Sequence, residues 1–323
     1  MSSPFHRGEE AVQRRAGMDE RIAEVGRKLV RDFMPDDHRA LFAELPFLVI
    51  GSLDERDRPW ASIVAGAPGF ATSPDPRTLR VGAAALPGDP LGANAVVGAP
   101  VGVLGIQLET RRRNRMNGRV AEVSADGFAI AVRQSFGNCP QYIQKRSAIA
   151  IAPPRPSRAT RESAYLSPPS AELVRRVDTF FIASASADPR GDAPAEGVDV
   201  SHRGGRPGFV RVAAADGRSV LSWPDFRGNF LFNTLGNLLV DPRAGVVFPD
   251  FATGDLLLLT GRAEVIWDGA ELAAFAGAQR LLRFRVEEGV LLPSAFALRW
   301  SEPRQARQLA DTGSWDDVAA ALR

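Results

Sequence analysis

Residues able to do chemistry gather in three places. The densest is Thr110-Arg111-Arg112-Arg113-Asn114-Arg115. In an extended segment, alternation points Arg111, Arg113 and Arg115 to one side. Guanidinium groups bind carboxylates and phosphates through paired hydrogen bonds, so this cluster suits an anion. A solvated strand end is the plainer reading. Nucleic acid is disfavoured because no aromatic side chains interleave the arginines.

The second place is 209–242. The strand pattern Phe209-Val210-Arg211-Val212 is followed by a second strand over 219–223, a turn at Pro224-Asp225, then Arg227-Gly228-Asn229. A helix is expected from Asn229, a good N-cap, to about Leu239, with Pro242 just beyond it. A helix start presents free N–H groups and suits a phosphate. Arg227, Asn233 and Thr234 would add donors, and Arg211 could reach the same anion. Trp223 offers a flat apolar surface for a ring, or is simply a core residue.

The third is Ser135-Phe136-Gly137-Asn138-Cys139-Pro140. Pro140 suits the first position of a helix, and Cys139 would then sit where the dipole favours a thiolate. Asn138 could turn its N–H toward the same place. A buried small residue at a tight turn is the alternative for Cys139.

Other chemistry is excluded. One cysteine rules out a disulfide framework and a cysteine zinc site, and His6, His38 and His202 lie far apart. No nucleophile–histidine–acid set, P-loop or dinucleotide fingerprint is visible, and no side chain stands out as catalytic. Hard chemistry would therefore belong to a cofactor. The acidic pairs Asp36-Asp37 and Glu287-Glu288 read as solvated turns and helix ends.

The 323 residues suffice for about two domains. Forty basic and 38 acidic residues nearly cancel, which gives no general nucleic-acid binder. No apolar run is long enough to span a membrane, and the N-terminus lacks a secretory pattern, so a cytoplasmic protein is expected.

Helices are expected at 19–33, stopped by Pro35, and at 38–45. Short β-rich runs follow at 47–50, 60–64, 79–83, 101–108, 118–123 and 128–132, with one helix at 89–97 between them. Residues 150–170, rich in Pro, Ser and Arg, read as a connector. A short helix at 171–177 and a strand at 180–185 then restart the pattern. Pro68-Gly69-Phe70 recurs as Pro207-Gly208-Phe209, Gly102-Val103 as Gly245-Val246, and the GRVAEV run at 118–123 as GRAEV at 261–265. The offsets are 139, 143 and 143 residues. Two copies of one barrel are expected, at 1–155 and 170–323, packed as a pseudo-dimer, with a long loop at 187–206 in the second.

These stretches resemble the pyridoxamine 5′-phosphate oxidase-like, FMN-binding split-barrel superfamily. The second copy carries FVRV, LSWPDFRGNFLFNTLGNLLVDPRAGVVF and LLLLTGRAEVIW. The first carries FHRGEEAVQ, TRRRNRMNGR and SFGNCPQYIQKR, which resemble a subgroup. The resemblance implies a mainly β fold, two tandem split barrels with peripheral helices, and FMN at their interface. It implies backbone and side-chain cofactor contacts from Val210, Arg211, Val212, Ser222 and Trp223, and phosphate contacts from Asn229, Asn233 and Thr234. Arg111, Arg113, Arg227, Asn138 and Cys139 complete the expected cofactor set. The oxidases themselves have an Arg-Lys pair where Asn233-Thr234 stand here, and a ring-contacting glutamine where Leu256 stands. A flavin oxidoreductase other than the vitamin B6 enzyme is thus the leading expectation, with an electron donor such as NAD(P)H and a possible homodimer. The alternatives are a flavin- or haem-binding sensor and a pseudo-dimer with a decayed site. His6, Glu9 and Gln13 belong to the resembling N-terminal segment without an assigned role.

Overall fold

The computed structural model describes residues 3–151 and 158–323. Three helices come first: α1 (Arg7–Arg15), α2 (Asp19–Leu29) and α3 (Asp36–Glu44). Seven strands then form one antiparallel sheet: β1 (Phe47–Leu53), β2 (Pro59–Ala65), β3 (Ala71–Thr72), β4 (Thr78–Val81), β5 (Pro100–Gln107), β6 (Arg112–Ser124) and β7 (Gly127–Gly137). A single helical turn, α4 (Leu91–Asn94), interrupts them. The strands β8 (Ala148–Ile151) and β9 (Thr160–Glu162) and helix α5 (Pro168–Arg176) lead to the second half.

That half holds β10 (Thr179–Ala185), β11 (Val198–Gly204), β12 (Arg211–Ala215), β13 (Arg218–Phe226), α6 (Asn233–Val240), β14 (Arg243–Pro249), β15 (Leu256–Ile266), α7 (Ala270–Ala274) and β16 (Ala278–Leu292). After it come β17 (Leu298–Trp300), a 3-10 turn at Arg307–Asp311 and α8 (Trp315–Ala321). The fold is mainly antiparallel β with peripheral helices, as expected.

The first sheet runs β2-β1-β5-β6-β7-β4-β3, and the main path of the second runs β11-β10-β14-β15-β16-β13-β12. Subtracting nine from each strand number of the second gives the first. The recurring sequence pieces mark the same features in both. Gly118 and Gly261 each sit at a register shift of the hairpin that follows. Gly102 and Gly245 sit where the halves meet. A Cβ on Gly102 would lie 2.4 Å from the Val198 carbonyl oxygen, and one on Gly245 2.3 Å from that of Pro59. Only glycine permits so close a backbone approach.

Each half has its own apolar core, and a third core is shared. Phe47, Val49, Trp60 and Leu104 pack there with Phe181, Val200, Val247 and Leu258. Alternation explains the sharing: one face of each sheet fills its own half, and the opposite face meets the other half.

Several local expectations are corrected. The helix expected at 19–33 ends at Leu29, and α1 precedes it. The helix expected at 89–97 is the single turn α4. The loop expected at 187–206 contains β11, whose seven residues pair with β10. No turn forms at Pro224-Asp225. β13 runs through it, with Pro224 opposite Leu281, at the loss of one donor to the ladder. Glu287 and Glu288 lie within β16, not at a turn or helix end. The expected connector contains β9, which pairs with β16, and the start of α5, while residues 152–157 lie outside the described residues.

Candidate functional site

A cavity of about 110 Å³ opens between the two halves. Arg113 and Arg115 on β6, with Asn138, Gln141 and Tyr142 just after β7, come from the first. Ser201, His202 and Arg203 on β11, Asp225 on β13, Arg280 on β16 and the segment 228–235 come from the second.

Four guanidinium groups therefore converge, and two carboxylates answer them. Arg115 donates to Asp199 Oδ1 at 3.1 Å and to the Ser201 hydroxyl. Arg280 donates to Asp225 Oδ2 at 2.9 Å, and Arg203 reaches the same carboxylate at 3.9 Å. Among the described residues Arg113 has no carboxylate partner, and its Nε donates to the Cys139 carbonyl. The cavity thus carries a formal excess of two positive charges.

Burial strips water from these groups and makes the excess felt. It lowers the Arg113 pKa to about 10, helped by neighbouring Arg115 and Arg203. Burial also lowers Arg203 and holds His202 well below the ordinary imidazole range, with Arg113, Arg203 and Arg146 adding to the shift. His202 is consequently a neutral imidazole at pH 7, while the arginines stay charged. Several polar atoms of cavity residues have no partner among the described residues: His202 Nε2, Arg203 Nε, Asn138 Nδ2 and Gln141 Oε1. Buried polar atoms normally find partners, so their concentration here marks a place built for something else.

Aromatic side chains share the cavity, and Arg280 lies over the Phe232 ring at 5.2 Å. Phe209, Phe226, Phe230, Phe232 and Tyr142 all line the cavity. Tyr142 stacks on Phe226 with ring centroids 5.0 Å apart, and Phe230 meets Phe232 edge-on at 5.9 Å. Tyr142, Phe230 and Phe232 have φ values of 60°, 63° and 61°. The left-handed region costs a side-chain-bearing residue about 1–2 kcal/mol, and such strain gathers at functional sites.

The structure brings together Arg113, Asn138, Asn229, Asn233 and Thr234 at this cavity. Cys139 and Arg227 border it: Cys139 through its carbonyl on Arg113, Arg227 by lying over the Phe230 ring at 5.5 Å. The helix start differs from expectation. α6 begins at Asn233 with the left-handed Phe232 before it, and the Asn229 side chain instead accepts from Leu231 N–H at 3.2 Å. Two left-handed residues cannot continue a helix back to Asn229. Asn233 donates to the Glu9 carboxylate and Thr234 to the Ser201 hydroxyl, so both side chains are engaged. No helix follows Pro140, because Tyr142 turns left-handed there.

The other expected residues lie elsewhere. Alternation holds for Arg113 and Arg115, but Arg111 is in the turn before β6 and donates to the Ile143 and Gln305 carbonyls. Arg211 pairs with both oxygens of Glu271, at 2.7 and 3.0 Å, and covers the Trp315 ring. Val210 is buried in the second half's core, with Val212 packed against it. Ser222 is buried in the ladder opposite Arg211. Trp223 is fully buried, 5.0 Å edge-on from Phe180.

His202, Arg203 and Arg280 were not singled out from sequence. Arg280 belongs to no motif the sequence offered, and His202-Arg203 fell in the supposed loop.

Among the described residues no cluster could hold a metal ion. No family model matches the chain, and no curated protein matches it. Solved structures do resemble it over part of its length. A HupZ variant from Group A Streptococcus is 13% identical, covers 39% of this chain and 98% of its own, and gives a TM-score of 0.30. A putative pyridoxamine 5′-phosphate oxidase from Lactobacillus delbrueckii is 17% identical, with coverages of 39% and 94% and a TM-score of 0.29. HutZ, the haem storage protein from Vibrio cholerae, is 13% identical, with coverages of 40% and 95% and a TM-score of 0.26.

Proposed function

We propose that this chain is an FMN-binding flavoprotein that holds one flavin at the cavity between two tandem units, 1–155 and 170–323, acting as a pseudo-dimer. The observation that carries the reading is the uncompensated positive charge at Arg113 and Arg203 beside an aromatic wall. A phosphate monoester answers the first feature and a planar ring the second.

The residues fit such a group. Arg113 and Arg203 would hold the phosphate, with Asn138 and the free Arg203 Nε as further donors. Each charge-assisted hydrogen bond is worth about 1.5–3 kcal/mol. Phe230, Phe232 and Tyr142 would pack the ring. Neutral His202 would offer an uncharged hydrogen bond inside a cationic pocket. Bound FMN supplies hydride transfer between a donor such as NAD(P)H and an acceptor.

One site per chain follows from the repeat. Leu256 and Leu258 on β15 stand where β6 has Arg113 and Arg115, counted from the matching glycines Gly261 and Gly118. Both leucines are buried in the shared apolar core.

A second reading, haem, is favoured by one observation. His202 keeps a neutral imidazole with Nε2 unpartnered, as an iron ligand requires, beside arginines suited to propionates. It also finds an echo in HutZ, named as a haem storage protein. The near-ultraviolet and visible spectrum of the freshly purified protein separates the two. Flavin bands, with free flavin released on denaturation, support the first reading. A Soret band supports the second.

A further inference from the structure

Helix α1 places His6, Glu9 and Gln13 at its start and along one face, as the three- and four-residue spacing requires. His6 caps the helix: its Nδ1 accepts from Gly8 N–H at 3.1 Å, and its own N–H donates to Glu9 Oε2 at 2.9 Å. These three residues meet the segment 231–237 in antiparallel order. His6 Nε2 bonds Asn237 Oδ1 at 2.8 Å, the Glu9 carboxylate accepts from Asn233 Nδ2, and Gln13 Nε2 donates to the Leu231 carbonyl at 3.1 Å. The two helices cross on glycines. A Cβ on Gly8 would fall 2.2 Å from the Gly236 carbonyl oxygen, and one on Gly236 2.5 Å from Glu9 N. His6, Glu9, Gln13 and Asn237 are all buried.

Leu231 is the residue between left-handed Phe230 and Phe232. Its side chain is buried with Phe5, Ile22 and Phe136, all from the first half. Strained backbone persists only where its surroundings over-determine it. Here the surroundings come from the N-terminal helices: Gln13 holds the carbonyl at the middle of the strained segment, and Phe5 and Ile22 hold the side chain. Gln13 itself does not line the cavity.

We propose that helix α1 is a clamp that sets the Phe230 and Phe232 rings for ligand binding, with Gln13 as its positioning residue. Gln13 acts on the ring wall through the Leu231 carbonyl. The clamp rests on the reading of the cavity as a flavin site.

The test uses the full chain and Gln13→Met, which keeps length and bulk but removes the donor, with Gln13→Glu as a second variant if the first folds poorly. Three quantities are measured: FMN affinity by fluorescence quenching, inorganic phosphate affinity by competition, and amide exchange over 229–234. Removing one buried donor from the Leu231 carbonyl should weaken FMN roughly tenfold. Phosphate affinity should hold, and exchange at 229–234 should quicken. A merely structural role would weaken both ligands together or neither. Unchanged FMN affinity in the variant, with the wild type binding normally, overturns the clamp and spares the flavin site. Failure of the wild type to bind FMN overturns both.

Discussion

Burial lowers the proton affinity of Arg113, on β6, and the guanidinium of Arg203, on β11, adds to the shift across the seam between the two halves of the chain. Two like charges from different halves thus share one cavity, and the carboxylate that Arg203 reaches, Asp225, is already committed to Arg280. Self-repulsion of this kind destabilises the protein alone and becomes useful when an anion enters.

That arrangement gives the first prediction. Arg113→Met removes a desolvated charge that has no carboxylate partner while keeping most of the side-chain volume. The variant should melt no lower than the wild type in a thermal scan. Its FMN affinity should fall at least about tenfold, one charge-assisted hydrogen bond being worth more than that factor. A drop in melting temperature with unchanged affinity would place Arg113 in the scaffold instead.

The aromatic wall can be separated from the arginine wall. Phe230→Gly relieves a left-handed backbone and deletes one ring from the cavity. FMN should bind roughly tenfold more weakly, in line with the loss of ring packing. Inorganic phosphate should compete as well as before. Equal loss for both ligands would show that Phe230 shapes the whole loop and not the ring contact.

Trp223 was expected to face the ligand and instead sits in the core against Phe180. Trp223→Phe should therefore lower stability to denaturant, by less than the roughly 3–5 kcal/mol typical of a large-to-alanine change. FMN affinity should stay within about twofold. A selective loss of binding with normal stability would return Trp223 to the site.

Asp89 offers a test of pH dependence. Its carboxyl is buried, accepts from Ser62 and from Leu91 N–H, and is raised by burial to about 6 from an ordinary 3.8. Its other oxygen has no partner among the described residues. The folded state therefore binds a proton that the unfolded state has released. Its stabilising effect is present below about pH 4 and is lost as pH rises through about 6. Asp89→Asn keeps an acceptor and removes the charge. Urea unfolding at pH 5 and pH 8 should show the variant gaining on the wild type at the higher pH, by about 1.4 kcal/mol. A constant difference between the two would contradict the assignment.

Much of the fold was legible because alternation and turn residues speak locally. The runs at 47–50 and 60–64 are all strand, as is 101–108 but for its last residue, and the echo of Gly102 in Gly245 marked the seam where backbones touch. The site was legible only in part. Arg113 could be read because it stands in a cluster on a strand with a clear period. His202 and Arg203 could not, because 187–206 contains glycine and proline enough to look like loop throughout, and only pairing with β10 makes 198–204 a strand. The left-handed turns at Phe230 and Phe232 are likewise invisible locally. Neither residue prefers that conformation, and the Gln13 side chain that holds the Leu231 carbonyl between them comes from 218 residues earlier in the chain.

The central claim is tested most directly by titrating the apo-protein with FMN and following flavin fluorescence. Saturable quenching that ends at one FMN per chain, and that Arg113→Met weakens, is the predicted result. No saturable quenching, or two equal sites per chain, would contradict it.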